Sequence, residues 1–318
     1  MRNVLTLFFW IVCVFSTAAA TEKADFIVAA DGSGDFRTVQ QAIDAVPDFR
    51  KVTTVIFIKN GIYKEKLVLA GSKTRIKFIG ESVEKTVLTY DDYSAKKNIF
   101  GEDMGTSGSA SFYIYGDEFF AENITFQNSS GPVGQAVAVW VAGDKVQFKN
   151  CRFLGFQDTL YTYGYKSRQY YLDCYIEGTV DFIFGSSTAV FDNCEIFCKK
   201  SGYITAASTH DSTKYGYVFM DCRIRGNADP GSFYLGRPWR PYAKTVFIRC
   251  EMGDLIHPSG WNNWGKESNE KTVYYAEYKN TGPGFKPGKR VNWSHQLSDE
   301  EAQNYRIEKI FEGWVPGK

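Results

Sequence analysis

The sequence predicts an all-β solenoid, a parallel β-helix with one short helix capping its N-terminal end. Three observations carry that prediction. A strand-like motif recurs at intervals of 20 to 28 residues, the intervals hold no helical periodicity, and Gly, Asn and Asp collect at the corners. Such a period is the mark of a stacked-repeat architecture, and without helices to fill the intervals it reads as coils of short β segments joined by turns.

The motif is marked by cysteine: Lys149-Asn150-Cys151-Arg152-Phe153, Leu172-Asp173-Cys174-Tyr175-Ile176, Asp192-Asn193-Cys194-Glu195-Ile196, Met220-Asp221-Cys222-Arg223-Ile224 and Ile248-Arg249-Cys250-Glu251-Met252. Each cysteine precedes an apolar residue by two positions, which places both on one inward face of a strand. Phe120–Phe126 and Ile76–Gly80 read as cysteine-free relatives of the same unit. The cysteines then form a ladder of small apolar side chains in the core. Stacked coils lie ~4.8 Å apart, a spacing that also suits a disulfide, so a Cys174–Cys194 bond stays open. Cys194 and Cys198 lack a second close pair, which argues against a metal site.

The ends follow local rules. Thr38–Val46 carries apolar residues at helical spacing and stops at Pro47, as a helix capping the open end of the core should. Ser298-Asp299-Glu300-Glu301 is a capping box that opens a second short helix. Arg2, the apolar run Val4–Phe15 and the small residues Ala18 and Ala20 read as a cleaved export signal over residues 1–20. The run is too short for a comfortable membrane span, which takes ~20 residues. No proline- or serine-rich linker interrupts the rest, so residues 21–318 are expected to form one domain, secreted or periplasmic, without stable membrane anchoring.

Charge excludes one class of partner. Thirty-seven basic and 36 acidic side chains leave a net charge of +1, whereas nucleic-acid binders carry a basic excess. Aromatic residues reach 16%, which a large β core absorbs and a polysaccharide groove also uses; the core reading is the default. There is no G-x-S-x-G, no H-E-x-x-H and no P-loop, and only three histidines occur, so the usual serine, zinc and nucleotide chemistries find no footing. Asp31-Gly32-Ser33-Gly34-Asp35 reads as a turn before the capping helix.

Carboxylates offer another chemistry. Asp158 and Asp181 are separated by the same 23 residues as Cys151 and Cys174, and Gln135 precedes Gln157 by 22. The two aspartates therefore occupy equivalent points on adjacent coils, with amides beside them. Stacked carboxylates do not both ionise cheaply, so one becomes an acid and the other a base or nucleophile. The competing reading is that both are turn residues. The apolar run Val180-Asp181-Phe182-Ile183-Phe184 weakens it, because a carboxylate placed there needs a partner.

Gly134-Gln135-Ala136, Gln157-Asp158-Thr159-Leu160, Val180–Gly185 and Leu235-Gly236-Arg237-Pro238-Trp239, with the opening Ala30–Phe36, resemble the pectin methylesterase (pectinesterase) family. The resemblance runs from about Asp25 to Trp314 and implies a right-handed parallel β-helix. It implies removal of methyl esters from C6 of galacturonate units in pectin, with methanol as product and no cofactor or metal. By motif, Asp181 is the nucleophile, Asp158 the general acid/base, Gln157 and Gln135 the oxyanion donors, and Arg237 the residue that orients Asp181. Trp239 falls in the sugar-binding wall, with Phe156, Tyr161 and Phe182 as further wall residues. The His257–Trp264 segment is expected to pack structurally more than to line the groove. The stretch Ala207-Ser208-Thr209-His210 departs from a Gln-Gly-Arg-like plant pattern and suggests a bacterial-type branch; a monomer is expected. The rival readings are a β-helix glycoside hydrolase using the same aspartates and a non-catalytic polysaccharide-binding β-helix.

Overall fold

The computed structural model describes residues 23–317; the export signal expected over residues 1–20, and Cys13 with it, lie outside the described residues. The chain winds into a right-handed parallel β-helix with three faces. These are parallel sheets of eleven, eight and seven strands, in which each strand pairs with its equivalent one coil away.

The corner before each cysteine explains the residues found there. Asn123, Asn150, Asp173, Asn193, Asp221 and Arg249 all have φ between 47° and 59°. This left-handed conformation turns the chain from the eleven-stranded to the eight-stranded sheet, and Asn and Asp tolerate it best among residues with a Cβ. Their side chains also bond coil to coil: Asn150 Nδ2 donates to Asn123 Oδ1 at 2.7 Å, Asn193 Nδ2 to Asp173 Oδ1 at 2.6 Å, and Arg249 donates twice to Asp221.

Register then builds the core. Phe148, Tyr171, Phe191, Phe219 and Phe247 are direct neighbours on successive strands. Their rings stack at 5.1, 4.7, 4.5 and 4.4 Å, nearly parallel. Ile176, Ile196 and Ile224 form a second inward column two residues after their cysteines, as the motif predicted. The five motif cysteines and Cys198 are buried and free, so the open Cys174–Cys194 pairing is not formed. The five motif thiols instead donate to backbone carbonyls, Cys174 to Leu172 and Cys194 to Tyr171 among them. Burial pushes the Cys151 thiol up to about 12, which removes its thiolate and its reactivity.

The N-terminal helix is Val39–Ala45, with Thr38 accepting from Gln41 N. Glu65 closes its first turn by accepting from the amides of Val39 and Gln40. Val39, Ala42 and Ile43 face the core. The Ser298 capping box is formed at helix Asp299–Ala302. A further short helix, Ile307–Ile310, follows. This tail lies across the outer face of the large sheet, where Ile310 and Phe311 pack with Tyr170, Val190, Val218 and Val246.

Free, fully buried thiols give a direct check. Without reductant, a thiol reagent should label none of these six cysteines in the native mature protein and all six after unfolding. Fewer than six on unfolding would show a disulfide in the ladder.

Candidate active site

The seven-stranded sheet carries the site, and its side chains do not alternate simply. Within each coil two outward residues three apart flank two inward ones: Asp158 and Tyr161 enclose Thr159 and Leu160, and Asp181 and Phe184 enclose Phe182 and Ile183. The inward four are fully buried, and three of them are in the main core. The break in alternation comes from backbone twist at the aspartates, with φ of 63° at Asp158 and 53° at Asp181. Both are therefore turn residues and site residues at once, and each left-handed conformation costs about 1–2 kcal/mol.

Parallel register stacks the outward residues in two lanes. Leu160 pairs with Ile183 and Ile183 with Thr205, so Asp158, Asp181 and Tyr203 lie in one lane, and Tyr203 pairs with Tyr234 above. The other lane runs Tyr113, Trp140, Tyr161, Phe184, Ala206, Arg237. Gln135 and Gln157 form their own parallel bridge beside them.

A cleft of ≈ 350 Å³ opens over these lanes, lined by Gln135, Gln157, Asp158, Tyr161, Asp181, Phe184, Ala206, Arg237, Trp239 and Trp264, with Thr106 and Ser107 from the one-turn helix Gly105–Gly108. A larger hollow of ≈ 500 Å³, between Arg168, Lys214 and Glu312, holds none of the candidate residues. Asn128 holds the end of that helix in place: its buried amide donates to the carbonyls of Asp92, Ser109 and Val137.

Electrostatics separate the two aspartates. Arg237 donates from Nε to Asp181 Oδ1 at 2.8 Å and from a terminal nitrogen to Oδ2 at 2.7 Å, a bidentate pair. Burial raises the Asp181 carboxyl and the arginine opposes that rise. Asp158 has no side-chain hydrogen bond among the described residues. Burial first, and the neighbouring Asp181 charge second, push its carboxyl well above the ordinary value. The two environments thus differ in direction: the arginine favours charge on Asp181, and nothing comparable favours it on Asp158. The side-chain amides of Gln135 and Gln157 have no protein partner among the described residues and face the cleft as free donors. Ala206 makes the arrangement possible: a small side chain lets Arg237 reach across the intervening coil to Asp181.

Every polar residue named from the sequence, with Tyr161 and Trp239, lines this one cleft. Two expected wall residues do not. Phe182 is wholly buried, because the outward positions in its coil are 181 and 184, and its ring packs on Phe233 at 6.0 Å. Phe156 lies outside the lining, under the Lys199 ammonium, 3.6 Å from the ring centroid. Phe184 and Trp264 take the wall positions instead. Phe184 was reachable by counting three from Asp181. The His257–Trp264 segment divides: Trp261 is core, as expected, and Trp264 faces the cleft. Nothing in the sequence marks Thr106 or Ser107, which belong to the one-turn helix Gly105–Gly108 in an insertion without repeat spacing.

Residues 25–313 match the family model described as Pectinesterase. The chain is similar to Pectinesterase 31 of Arabidopsis thaliana, 46% identical over 286 residues, covering 87% of this chain and 89% of that one. It is similar in structure to a pectin methylesterase from carrot, with TM-score 0.85 and 35% identity over 93% of this chain and 95% of that chain. A pectin methylesterase from Erwinia chrysanthemi matches with TM-score 0.82 and 30% identity, over 93% and 99% of the two chains. The expectation of a bacterial-type branch is corrected, since both plant proteins stand above the bacterial one. The departing residues lie where a strand runs out into a loop, and a few such positions do not carry ancestry.

The raised carboxyl has a consequence for stability. A group whose folded-state pKa is raised favours the native state most below its unfolded pKa and loses that contribution as pH rises towards the folded value. Asp158→Asn, which keeps the shape and discards the titration, should melt a few degrees above wild type at pH 7. The gap should close towards pH 4, and thermal melts across that window measure it.

Proposed function

The chain belongs to the pectinesterase family, and on that premise we propose how its own residues hydrolyse the methyl esters of pectin. It is a carboxylic ester hydrolase that acts on methylated polygalacturonate. The observation that supports the residue roles is the pairing, in vertical register, of an arginine-held aspartate with a buried one whose side chain has no partner, beside two free amides.

In this reading the Asp181 carboxylate attacks the C6 carbonyl carbon of a methylated galacturonate. Arg237 keeps Asp181 ionised and fixes its plane, so that one oxygen faces the cleft. The carbonyl oxygen becomes the tetrahedral oxyanion, which accepts from the amides of Gln135 and Gln157; such preorganised donors are worth several kcal/mol. Collapse of this intermediate breaks the bond to the methoxy oxygen, and Asp158 delivers its proton there, so that methanol leaves neutral. Asp181 is now acylated and Asp158 ionised. Asp158 next takes a proton from a water molecule as the water oxygen attacks the same carbonyl carbon. The second tetrahedral intermediate expels the Asp181 carboxylate, leaving the galacturonate as its free acid and both aspartates in their starting states.

The first proton transfer requires the acid form of Asp158, and burial together with the Asp181 charge supplies that form in water-like pH ranges where an ordinary aspartate is ionised. Tyr161, Phe184, Trp239 and Trp264 form the sugar-facing wall. Aromatic faces suit the apolar faces of sugar rings and of methyl esters, whereas the carboxylate product gains a charge that the partly apolar cleft does not favour. The chain is exported through the signal at residues 1–20 and works as a monomer; no helix among the described residues is long and apolar enough to cross a membrane.

The purified mature protein should release methanol from highly methylated pectin without new reducing ends or unsaturated products. Chain cleavage without methanol would return Asp158 and Asp181 to the glycoside hydrolase reading. Asp181→Asn should lose activity by at least ~10³-fold, by comparison with the loss of other catalytic groups, while still binding substrate. Arg237→Lys should fall by roughly 10²-fold, because a point charge does not reproduce the planar two-bond fork. Initial rates of methanol release measure both, and wild-type rates in either variant would remove that residue from the mechanism.

A further inference from the structure

We propose that Tyr203 is a positioning residue for the esterase reaction: together with Trp264 it clamps the Arg237 guanidinium in the plane that meets Asp181. The carbon at the centre of the guanidinium lies 3.9 Å from the centroid of the Tyr203 ring and 3.7 Å from that of Trp264. Two rings that close to one planar cation occupy its two opposite faces, so the guanidinium is sandwiched. Its edge then points at Asp181, where both hydrogen bonds form.

The clamp answers a mechanical problem. Arg237 stands two coils away from Asp181 in the other outward lane, and its side chain crosses above Ala206 to reach the carboxylate. A long side chain spanning that gap has many rotamers, and holding one of them costs entropy at each turnover. Flat rings on both faces remove those alternatives and shield the ion pair from water, while the cation is attracted to each ring. Tyr203 is itself held from behind: its ring stacks on Tyr234 at 5.3 Å, and Tyr234 stacks on His257 at 4.5 Å.

Tyr203 and Trp264 differ in one respect that makes the inference testable. Trp264 lines the cleft and Tyr203 does not, so Tyr203 acts through Arg237 without forming part of the substrate wall. Its hydroxyl makes no hydrogen bond among the described residues, so the ring alone carries the effect. The inference rests on the reading of Asp181 as the nucleophile.

Tyr203→Leu should lower kcat about tenfold, the scale of a lost desolvated cation–π contact, with KM unchanged and the melting temperature close to wild type. Tyr203→Phe should restore kcat. If leucine lowers the melting temperature, Tyr203→Met, which fills the space without a planar ring, takes its place in the comparison with Phe. Unimpaired kcat in the ringless variant, a rise in KM alone, or a loss in Tyr203→Phe as large as in Tyr203→Leu would each overturn the clamp. Asp181→Asn measured alongside separates the two levels. Methanol release from that variant overturns the nucleophile reading, whereas an inactive Asp181→Asn beside an unimpaired Tyr203→Leu overturns the clamp alone.

Discussion

The coil-to-coil register of the parallel ladder is the constraint on which everything else in this protein rests. Each residue on a strand sits one strand spacing, ~4.8 Å, from its equivalent in the next coil. In the core that rule stacks Phe148 through Phe247 as a column of parallel rings and lines up the inward isoleucines. On the outside it brings two carboxylates together. The distance that is favourable for rings is unfavourable for like charges, and burial makes it more so. In the proposed reading the scaffold thus turns a packing rule into an acid–base pair, with Arg237 setting which member keeps the charge.

This arrangement trades stability for chemistry. Asp158 and Asp181 both hold left-handed backbone, both are buried, and the side chain of Asp158 has no hydrogen-bond partner among the described residues. Each feature is unfavourable alone, and the surrounding solenoid offsets them with an inward column on every coil. Asp181 gains its bidentate arginine in return; Asp158 gains no such partner. A carboxyl that stays neutral because nothing around it favours its charge is well suited to give that proton to a leaving alcohol and to recover one from water.

Much of this was legible in the sequence because the repeat is. The cysteine motif displays the coil, its spacing matches Asp158 to Asp181, and the bridge between Gln135 and Gln157 lies where the 22-residue offset put it. The Thr38 cap and the Ser298 capping box are local signals and were read directly. What escaped depended on side-chain direction within a coil. Strict alternation is the rule for a flat strand, but the twist at Asp158 and Asp181 makes the outward residues three apart. Phe182, beside the outward Asp181, is core even by alternation, and it is the second inward residue, Ile183, that makes Phe184 wall. Tyr203, Ala206 and Trp264 escaped for a different reason: their importance lies in a diagonal contact across three coils, and no spacing along the chain records which way Arg237 leans. Thr106 and Ser107 sit in a one-turn helix, Gly105–Gly108, outside the repeat spacing.

The central claim is that one aspartate is protonated and its neighbour ionised in the resting protein. Carbon-13 spectra of the mature protein labelled at the aspartate carboxyls, recorded from pH 4 to 8 and assigned with Asp158→Asn, test it most directly. The account predicts a carboxyl resonance in the protonated position that persists well above the ordinary aspartate range and is missing from Asp158→Asn, while Asp181 resonates as a carboxylate at neutral pH. Both carboxyls ionised by pH 5 would contradict it.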